Sequence, residues 1–598
     1  MNDLIVGRLA LLRKRMQEEG IDAYMVPTED FHSSEYVGEY FKCRKFLTGF
    51  TGSAGTAVVT MDEARLWTDG RYFLQASVQL EGTTIKLMKM GEKDVPAIEE
   101  YLKKTLKDGQ TLGYDGRTVS ASQARALADI LGRGIALRGD VDLVGDIWND
   151  RPPMSAQPVW ELEIRWCGQS RQDKLAMVRE KMAEQKADVL LLSSLDDIAW
   201  LLNLRGDDVA CNPVFLSYLA VEKERAVLFA NTACFDDELV RKLAADGVDL
   251  QTYGLVYAYA AALSPESRVW LHEESVNSRL ADSLPAAAQR VLLPSPTKGA
   301  KAVKNPVEIE NMRMAHIRDG AAVCRFIYWL KKNAARETIT ELSAAEKLYA
   351  LRQEQKHFAG NSFDPIIAYR EHGAVIHYSA SPETDVRIEP EGMVLADTGG
   401  QYLEGTTDIT RTFAVGPVTQ EEKEYFTAVL RGHIRLAMAR FKQGCSGVSL
   451  DILARQPLWD MGADYNHGTG HGVGYFLNVH EGPQRIIYKT GKEKPAGMMA
   501  GMITSDEPGY YEDGKFGVRH ENLLLCKEDR NTPWGTFLCF EPLTLVPFDL
   551  ECILPEEMTP EEIRWLNEYH QTVYGKIGPL LPEEERAWLK TQTRGLTP

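Results

Sequence analysis

The sequence has no long apolar run, no paired-cysteine motif and no excess of basic residues. No stretch approaches the roughly 18 to 20 apolar residues of a membrane-spanning helix, and the first residues do not resemble a secretory signal. The nine cysteines are scattered and never spaced as C-x-x-C, which favours reduced thiols. The net charge of −18 argues against nucleic-acid binding. We therefore expect a cytoplasmic protein that binds neither nucleic acids nor membranes.

A weak internal repeat indicates two related domains in the first half of the chain. Residues 8–26 and 174–192 each place apolar residues at i, i+3 and i+7, followed by a short apolar stretch. The spacing predicts a helix and then a strand in each copy. The helix positions are Leu9, Leu12 and Met16 in one copy and Leu175, Val178 and Met182 in the other. Chance similarity between two amphipathic helices is the alternative explanation.

The chain of 598 residues is too long for one hydrophobic core, and we predict three domains. The first covers residues 1–152 and ends at the Pro152-Pro153 pair. The second covers 153–304. The third, 305–598, begins at a helix start, because Asn305 can cap the helix, Pro306 suits its first turn and Glu308 can complete a capping box. The first two domains are expected to be of the α/β class.

Two aspartates in the third domain occupy positions that strands normally avoid. Asp397 follows the apolar run 393–396, and Asp408 lies among Thr and Ile residues. A buried carboxylate is costly unless it is paired or bound to a metal. Judged alone, both could be turn residues of a glycine-rich hairpin.

Three more potential metal ligands follow in glycine-containing segments: His471, Glu507 and Glu521. Four carboxylates and one imidazole suit a pair of divalent cations, which would cancel the mutual repulsion of the carboxylates. Hard oxygen ligands with one nitrogen favour Mn²⁺, Co²⁺, Fe²⁺ or Zn²⁺ over Ca²⁺ or Mg²⁺. Individually, His471 could be a loop histidine, Glu507 an exposed turn residue and Glu521 half of a surface salt bridge.

The flanking residues resemble the pita-bread metallopeptidase family, which includes methionine aminopeptidase, prolidase and aminopeptidase P. The motifs are D-x-G at Asp397, D-x-T-R-T at Asp408, H-G-x-G-H-G-x-G around His471, and E-P-G-x-Y at Glu507. The family's ligand order Asp, Asp, His, Glu, Glu matches Asp397, Asp408, His471, Glu507 and Glu521. The length and the first-domain segments GFTGSAGTAVV and WTDGRYFLQA resemble the long, three-domain Xaa-Pro aminopeptidase group. The resemblance implies an α/β (α+β) protein with two tandem creatinase-like domains before a pita-bread catalytic domain.

The resemblance also implies an activity: release of the N-terminal residue from peptides with proline second, by a water activated between two metal ions, preferably manganese. Glu507 is then both a ligand and the proton shuttle. His377, His467 and His480 match positions that contact the substrate in this family. Two of them, His377 and His480, are also expected to be catalytic. Arg519 and Tyr511 match residues on the proline side of the cleft. The substrate-site set is His377, His467, His480, Arg519 and Tyr511. The group also implies a cytoplasmic homodimer acting on proline-containing peptides.

Five alternatives remain open at this level. Arg519, His467 and His480 could have structural roles, neutralising a carboxylate or capping loops. A prolidase would use the same metals on Xaa-Pro dipeptides. A metal-free creatinase-like enzyme, or a non-catalytic binding module such as a histone-chaperone subunit, would be expected to lack intact ligands. The segment GTFLCFEPLTLVPFDL could line a dimer interface or form core strands.

Overall fold

The computed structural model of the protein describes residues 2–489 and 496–597. The chain divides into an N-terminal unit, Met1–Glu163 with Gln169–Thr297, and a C-terminal unit, Ile164–Gly168 with Lys298–Pro598. The predicted start of the third domain falls close to the start of the C-terminal unit. The boundary near Pro152 between the first two domains stays a prediction.

Two six-stranded sheets of the same topology form the N-terminal unit. The first contains β1 (Ala23–Pro27), β2 (Thr56–Thr60), β3 (Ala64–Thr68), β4 (Ile85–Lys89), β5 (Thr111–Tyr114) and β6 (Ala136–Arg138), in the order β4-β3-β2-β1-β5-β6. After the short β7 (Trp160–Glu161), the second contains β8 (Val189–Leu192), β10 (Ser217–Glu222), β11 (Ala226–Ala230), β12 (Val248–Thr252), β13 (Arg268–Leu271) and β14 (Gln289–Leu292), in the order β12-β11-β10-β8-β13-β14. The short β9 (Leu204–Arg205) pairs with β7. In the first sheet β1 is antiparallel to β2 and parallel to β5, and in the second sheet β8 is antiparallel to β10 and parallel to β13.

The shared topology confirms the two related α/β domains that the sequence repeat predicts. The repeat helices are α1 (Asn2–Glu19) and α8 (Arg171–Glu184), and each precedes the central strand of its sheet. The predicted apolar positions of both helices are buried. The remaining helices before the C-terminal core are α2 (Cys43–Thr48), α3 (Phe73–Gln79), α4 (Ile98–Thr105), α5 (Ala121–Leu131), α6 (Leu143–Ile147), α7 (Ile164–Cys167), α9 (Leu195–Leu202), α10 (Asp237–Ala245), α11 (Leu255–Ala261), α12 (Ser278–Asp282) and α13 (Pro296–Ala302).

The described residues of the C-terminal unit form six further helices and several small sheets. The helices are α14 (Pro306–Asn333), α15 (Glu341–Gln353), α16 (Gln420–Ala437), α17 (Gly447–Asp460), α18 (Pro560–Ile577) and α19 (Glu583–Gln592). The strands are β15 (Phe358–Asn361), β16 (Ile366–Tyr369), β17 (Met393–Thr398), β18 (Gly400–Tyr402), β19 (Gly405–Thr406), β20 (Ile409–Ala414), β21 (Arg440–Lys442), β22 (Gly470–His471), β23 (Arg485–Ile486), β24 (Ile503–Asp506), β25 (Gly509–Glu512), β26 (Phe516–Arg519), β27 (Asn522–Thr532) and β28 (Gly535–Pro542). They form the sheets β15-β18-β19, β16-β17-β20 and β21-β28-β27-β24 and the pairs β22-β23 and β25-β26.

Helix α14 begins as the sequence predicts. The Asn305 side chain accepts hydrogen bonds from the amides of Val307 and Glu308, and the Glu308 carboxylate accepts one from the Asn305 amide. This capping box satisfies amides that the first turn of a helix leaves unpaired. The helix then continues to Asn333, which gives the C-terminal core a rigid element of 28 residues.

The main core of the C-terminal unit lies between its helices and the β16-β17-β20 sheet. Phe326 of α14, Val394 of β17, Phe413 of β20 and Phe426 of α16 are all buried in one cluster. The segment GTFLCFEPLTLVPFDL forms β28, which pairs with β27, and then a buried stretch that joins this core. This placement favours the core interpretation of that segment, and the oligomeric state stays a prediction.

None of the helices in residues 2–489 and 496–597 combines the length and apolar character that crossing a membrane requires. Cys324, Cys526 and Cys552 are buried thiols packed among apolar side chains. Cysteine commonly fills core space in this way.

Candidate metal centre

The two aspartates of the hairpin lie close together, one in the middle strand of a three-stranded sheet and the other directly before an edge strand. Asp397 is in β17, which pairs with both β16 and β20, and its register partner in β20 is Thr410. Asp408 immediately precedes β20 and is 4% exposed. The exposure excludes the interpretation of Asp408 as a solvated turn residue.

Backbone hydrogen bonds fasten the segments that carry the other three ligands. His471 lies in β22, Glu507 directly follows β24, and Glu521 lies between β26 and β27. The Glu507 amide donates to the Thr469 carbonyl at 2.8 Å, and the Glu521 amide donates to the Thr410 carbonyl at 3.0 Å. The second bond joins the Glu521 segment directly to the strand that follows Asp408.

The structure brings all five predicted ligands into one cluster. Three overlapping groups have potential ligand atoms within 4.8 Å of one another: Asp397, Asp408 and Glu521; His471, Glu507 and Glu521; and Asp408, His471 and His480. Glu521 is 1% exposed, which excludes a surface salt bridge. His480 was predicted to contact substrate, and its ring also lies edge-on to that of His471, with 4.4 Å between the ring centroids.

The Nε2 atom of His471 faces two carboxylates. Its Nδ1 lies 3.0 Å from the carbonyl oxygen of Gly472 and must carry the proton, because a carbonyl can only accept. In the neutral ring Nε2 is then an acceptor, yet it lies 3.5 Å from Asp408 Oδ2 and 3.3 Å from Glu507 Oε1. Metal-bound histidines commonly donate their other ring N–H to a carbonyl in this way. The donor set therefore fits a divalent cation held between Nε2 and the carboxylates.

The carboxylates of the cluster also have unused ligand capacity. Among the described residues, the buried atoms Asp397 Oδ1 and Glu521 Oε1 have no hydrogen-bond partner. Such an atom normally costs free energy unless a partner or ion satisfies it. These two oxygens fit a second cation, so the residues present match a dinuclear site.

Burial and mutual repulsion make Asp408, Glu507 and Glu521 hard to ionise without a cation. Burial raises the pKa of Asp408 well above its usual range, and the charge of Asp397 adds to the shift. Burial likewise raises the pKa of Glu521, with Asp408 adding to it. Burial raises the pKa of Glu507 to about 7. A cation that compensates these charges would reverse the effect, as bound ions do generally.

Arg519, Tyr511 and His467 form a hydrogen-bonded chain that ends on Asp397. Arg519 Nη2 donates to Asp397 Oδ2 at 2.6 Å, and Arg519 Nη1 donates to the Tyr511 hydroxyl at 2.8 Å. The Tyr511 hydroxyl is 2.8 Å from His467 Nε2, and His467 Nδ1 is 2.8 Å from the Gly468 carbonyl oxygen. Burial, reinforced by Arg519, lowers the pKa of His467 to about 3, which keeps its ring neutral. The alternative that Arg519 neutralises a neighbouring carboxylate is correct, and that carboxylate is a predicted ligand.

Both ring nitrogens of His467 are engaged in this chain. A substrate contact from either nitrogen would require Tyr511 or Gly468 to give up its hydrogen bond. The alternative in which His467 has a structural role, capping a backbone carbonyl, is observed at Nδ1. Its Nε2 in turn orients the Tyr511 hydroxyl.

The loop that carries His377 is held from two sides. Buried Glu341, at the start of α15, accepts hydrogen bonds from the Tyr369 amide at 2.8 Å and the Tyr378 hydroxyl at 2.7 Å, and lies 2.9 Å from His372 Nδ1. On the other side the loop backbone approaches β26 so closely that a Cβ on Gly517 would lie 1.8 Å from the Gly373 carbonyl oxygen. Only glycine fits there. His377 itself is half-buried.

The loop that carries His480 is fastened by a buried ion cluster. Glu481 is 3% exposed at its side chain and lies 2.9 Å from Lys301 Nζ and 3.0 Å from Lys304 Nζ. Although burial opposes ionisation, the two ammonium groups hold the pKa of Glu481 below its usual value. The residue next to His480 is therefore fixed as a charged carboxylate.

Local sequence patterns do not reveal most of these supporting residues. Lys301 and Lys304 lie far from Glu481 in the chain, so no local pattern joins them. Thr410 lies within the D-x-T-R-T motif, and its hydroxyl donates to Glu521 Oε2 at 2.8 Å. Asp319 could have been found, because it is a charged residue on the buried face of α14.

Comparison with known families agrees with this arrangement of domains. The model of metallopeptidase family M24 matches residues 310–528, and that of the C-terminal region of peptidase M24 matches 536–596. Creatinase/prolidase N-terminal domain models match residues 8–141 and 150–308. Two creatinase-like domains therefore precede a pita-bread domain, as the sequence predicts.

Relatives cover nearly the whole chain. The probable Xaa-Pro aminopeptidase P of Laccaria bicolor is 41% identical over 98% of this chain and 92% of its own. Aminopeptidase P2 of Arabidopsis thaliana is 38% identical over 98% of this chain and 88% of its own. The crystal structure of X-prolyl aminopeptidase from Caenorhabditis elegans, described as a cytosolic enzyme with a di-nuclear active site, covers 99% of this chain and all of its own at 34% identity and a TM-score of 0.94. The chain belongs to metallopeptidase family M24, in its aminopeptidase P group.

Proposed function

We propose that the protein is a dinuclear metal-dependent aminopeptidase that releases the N-terminal residue from peptides with proline in the second position. The observation that carries the proposal is the convergence of His471 on two carboxylates: its Nε2 lies 3.5 Å from Asp408 Oδ2 and 3.3 Å from Glu507 Oε1, while its Nδ1 lies 3.0 Å from the Gly472 carbonyl oxygen. An imidazole nitrogen and two carboxylates in this arrangement can bind one divalent cation together. The names of the aminopeptidase P relatives support the substrate class.

The proposed ligands are the five clustered residues Asp397, Asp408, His471, Glu507 and Glu521. Two divalent cations there would lower the pKa of a water and polarise the scissile carbonyl. Manganese is our proposed occupant, and Co²⁺, Zn²⁺ and Fe²⁺ are compatible with the same donors.

Glu507 is proposed to move a proton as well as to bind metal. Ser505 Oγ lies 3.1 Å from Glu507 Oε1 and donates to it, which fixes the carboxylate in place. A positioned carboxylate can take the proton of the attacking water and deliver it to the leaving nitrogen. Like any amide nitrogen, the prolyl nitrogen must receive a proton as its bond to the carbonyl carbon breaks, and it then leaves as a secondary amine.

Arg519 and Tyr511 are proposed to form the wall on the proline side of the cleft. Arg519 holds Asp397 through Oδ2 and leaves Oδ1 for the cation. Burial raises the pKa of Tyr511 to about 12, so its hydroxyl stays protonated and donates to His467. This chain orients groups around the substrate without adding a negative charge.

His377 and His480 are proposed to hydrogen-bond the substrate carbonyl and the developing oxyanion. Both lie on loops that the surrounding structure fastens, His377 through Glu341 and His480 through Glu481. Preorganised donors of this kind stabilise charge that develops in the transition state. His467 completes the proposed substrate-side set through Tyr511.

The remaining proposals concern the whole molecule. We propose domains at 1–152, 153–304 and 305–598, a cytoplasmic location in line with the cytosolic relative from C. elegans, and a homodimer. Sedimentation equilibrium of the full chain measures the last of these, and a monomer would contradict it.

A substrate panel tests the proposed activity. With Mn²⁺ supplied, we expect release of Arg from Arg-Pro-Pro, little turnover of Arg-Ala-Ala, and weak turnover of N-acetyl-Arg-Pro-Pro, whose amine is blocked. Equal turnover of the alanine peptide would rule out proline selectivity. A strong preference for the dipeptide Arg-Pro would reassign the protein to prolidase, and no peptide hydrolysis with metal bound would favour a binding module.

A further inference from the structure

A buried ion pair lies behind the hairpin that carries the two aspartates. Asp319 comes from α14 and Arg352 from α15, and their side chains are 4% and 1% exposed. Arg352 Nε donates to Asp319 Oδ1 at 2.7 Å, and Arg352 Nη2 donates to Asp319 Oδ2 at 3.2 Å. Two helices of the C-terminal core are thus joined by a two-pronged contact.

The same ion pair forms hydrogen bonds with the hairpin residues next to both aspartates. Arg352 Nη2 also donates to Thr398 Oγ1 at 3.0 Å, and Thr398 directly follows Asp397. Thr407 Oγ1 donates to Asp319 Oδ2 at 2.9 Å, and Thr407 directly precedes Asp408. Each metal-ligand aspartate is therefore one residue away from a side chain that the ion pair holds.

A third contact fixes the tip side of the hairpin. The Tyr402 hydroxyl donates to Asp319 Oδ1 at 2.9 Å, so both oxygens of this carboxylate are used. The Thr407 hydroxyl also accepts from the Gly400 amide at 2.9 Å, which closes the hairpin on itself. All of these side chains are buried.

The alternation of side chains along a strand explains how the ion pair can fix β17 without contacting Asp397 itself. Consecutive residues of a strand point to opposite faces of the sheet, so Thr398 faces away from the side to which Asp397 points. The ion pair can hold the back of β17 while Asp397 remains open at the front. A buried ion pair is a poor way to gain stability over apolar packing, and its best-supported benefit is a defined geometry.

We propose that Asp319 and Arg352 are positioning residues that set the spacing of the Asp397 and Asp408 carboxylates, and thereby the affinity and stoichiometry with which the chain binds divalent cations. This inference rests on the metal site of the proposed function. It assigns no ligand role to Asp319 or Arg352, which act through Thr398 and Thr407.

The test uses the full chain with Mn²⁺ as the probe. Thr407→Val and the double variant Thr398→Val with Thr407→Val remove the hydroxyls and keep the side-chain shape. Thr407→Ser retains the hydroxyl. The matched control is Thr427→Val, a buried threonine of the same unit whose hydroxyl accepts the Leu554 amide at 3.0 Å.

Metal titration by calorimetry, metal content after dialysis and the electron paramagnetic resonance signal of coupled Mn²⁺ ions are the readouts. We expect Thr407→Val to weaken Mn²⁺ binding about tenfold or more, as outer-shell partners of metal ligands do, and to alter the coupled signal. Thr407→Ser and Thr427→Val should bind like the unaltered chain. Unchanged affinity and signal in the folded double variant would overturn the proposal.

Asp319→Asn extends the test to the ion pair itself, with Glu562→Gln as its control. Glu562 is a buried carboxylate 2.8 Å from Arg435 and 3.2 Å from Arg431. We expect folded Asp319→Asn to lose Mn²⁺ affinity and Glu562→Gln to keep it; equal losses would overturn the proposal. If Asp319→Asn does not fold, the threonine variants decide. An unaltered chain that binds no Mn²⁺ would instead refute the proposed metal site.

Discussion

Two groups of buried and half-buried carboxylates, one in each unit, differ in their charge balance. In the N-terminal unit, Asp115 pairs with Arg117 at 2.8 Å, and Asp142 pairs with Arg117 at 3.0 Å and Arg151 at 2.7 Å. Two carboxylates there face two guanidinium groups.

The C-terminal cluster has four carboxylates, the imidazole of His471 and Arg519 as the guanidinium on Asp397. It contains buried carboxylate oxygens that no group of the described chain satisfies. The first group balances its own charges, and we propose that the second binds cations from solution. The comparison shows that charge balance, more than burial, separates a structural cluster from a metal site.

Replacing one aspartate by asparagine in each group should give the largest difference between the two groups. Asp408→Asn removes a ligand charge, so we expect peptide hydrolysis to fall at least about 100-fold, with loss of bound metal. Asp142→Asn should leave activity per folded molecule unchanged and cost about 1–3 kcal/mol of unfolding free energy, because two guanidinium groups lose a charged partner. Kinetics, metal analysis and urea unfolding measure both. A fully active Asp408→Asn protein would remove the distinction between the groups.

Chelation should destabilise one group and spare the other. Ions present at about 1,000 times their dissociation constant stabilise the folded state by about 4 kcal/mol, and their removal leaves four repelling carboxylates. Hydrogen–deuterium exchange should therefore rise in residues 397–412 and 503–523 and stay unchanged in 111–151. Equal exchange in both regions with and without a chelator would contradict the account.

His480→Ala should separate metal binding from catalysis within the C-terminal cluster. We expect kcat/KM for Arg-Pro-Pro to fall about 10²- to 10³-fold, the usual cost of losing a donor to the oxyanion. Metal content should stay near that of the unaltered chain, because the other five residues supply the ligands. Parallel loss of metal and activity would make His480 a ligand instead, as its place near Asp408 and His471 also allows.

A buried histidine away from both groups should give the smallest effect, in the pH dependence of stability. Burial and Arg411 lower the pKa of His570 to about 3, and its Nε2 accepts the Phe548 amide. Below its unfolded pKa of about 6.5, the unfolded chain binds a proton that the folded chain does not, so stability falls by about 1.4 kcal/mol per pH unit. His570→Gln keeps an acceptor for the Phe548 amide and removes the contribution of His570 to the pH dependence of stability.

Urea unfolding at pH 7.5 and pH 5.5 tests the effect of His570. The unaltered chain should lose about 1.4 kcal/mol more than His570→Gln over that interval. Because metal loss at low pH affects both proteins alike, it cancels in the difference. Identical pH dependence would refute the assignment of a neutral buried histidine.

Features encoded by neighbouring residues are the ones that sequence analysis predicts here. The Asn305 cap, the repeat helices and the motifs around the five candidate ligands each lie within a short stretch, so pattern and propensity identify them. The buried face of α14 likewise follows from its apolar spacing.

Features that depend on distant parts of the chain could not be predicted in the same way. Nothing near Glu481 points to Lys301 and Lys304, and nothing near Glu341 shows that it holds the His377 loop. Likewise the order of strands in the sheets depends on tertiary packing. The positioning of the ligands by Asp319 and Arg352 belongs to this second class, since helices from elsewhere in the chain supply both residues.

Anomalous diffraction from crystals grown with Mn²⁺ tests the central claim most directly. The account predicts two anomalous peaks per chain, both in contact with the cluster of Asp397, Asp408, His471, Glu507 and Glu521, and none at Asp115 and Asp142. A map with no peak at the cluster, or with peaks at the balanced N-terminal group instead, would contradict it.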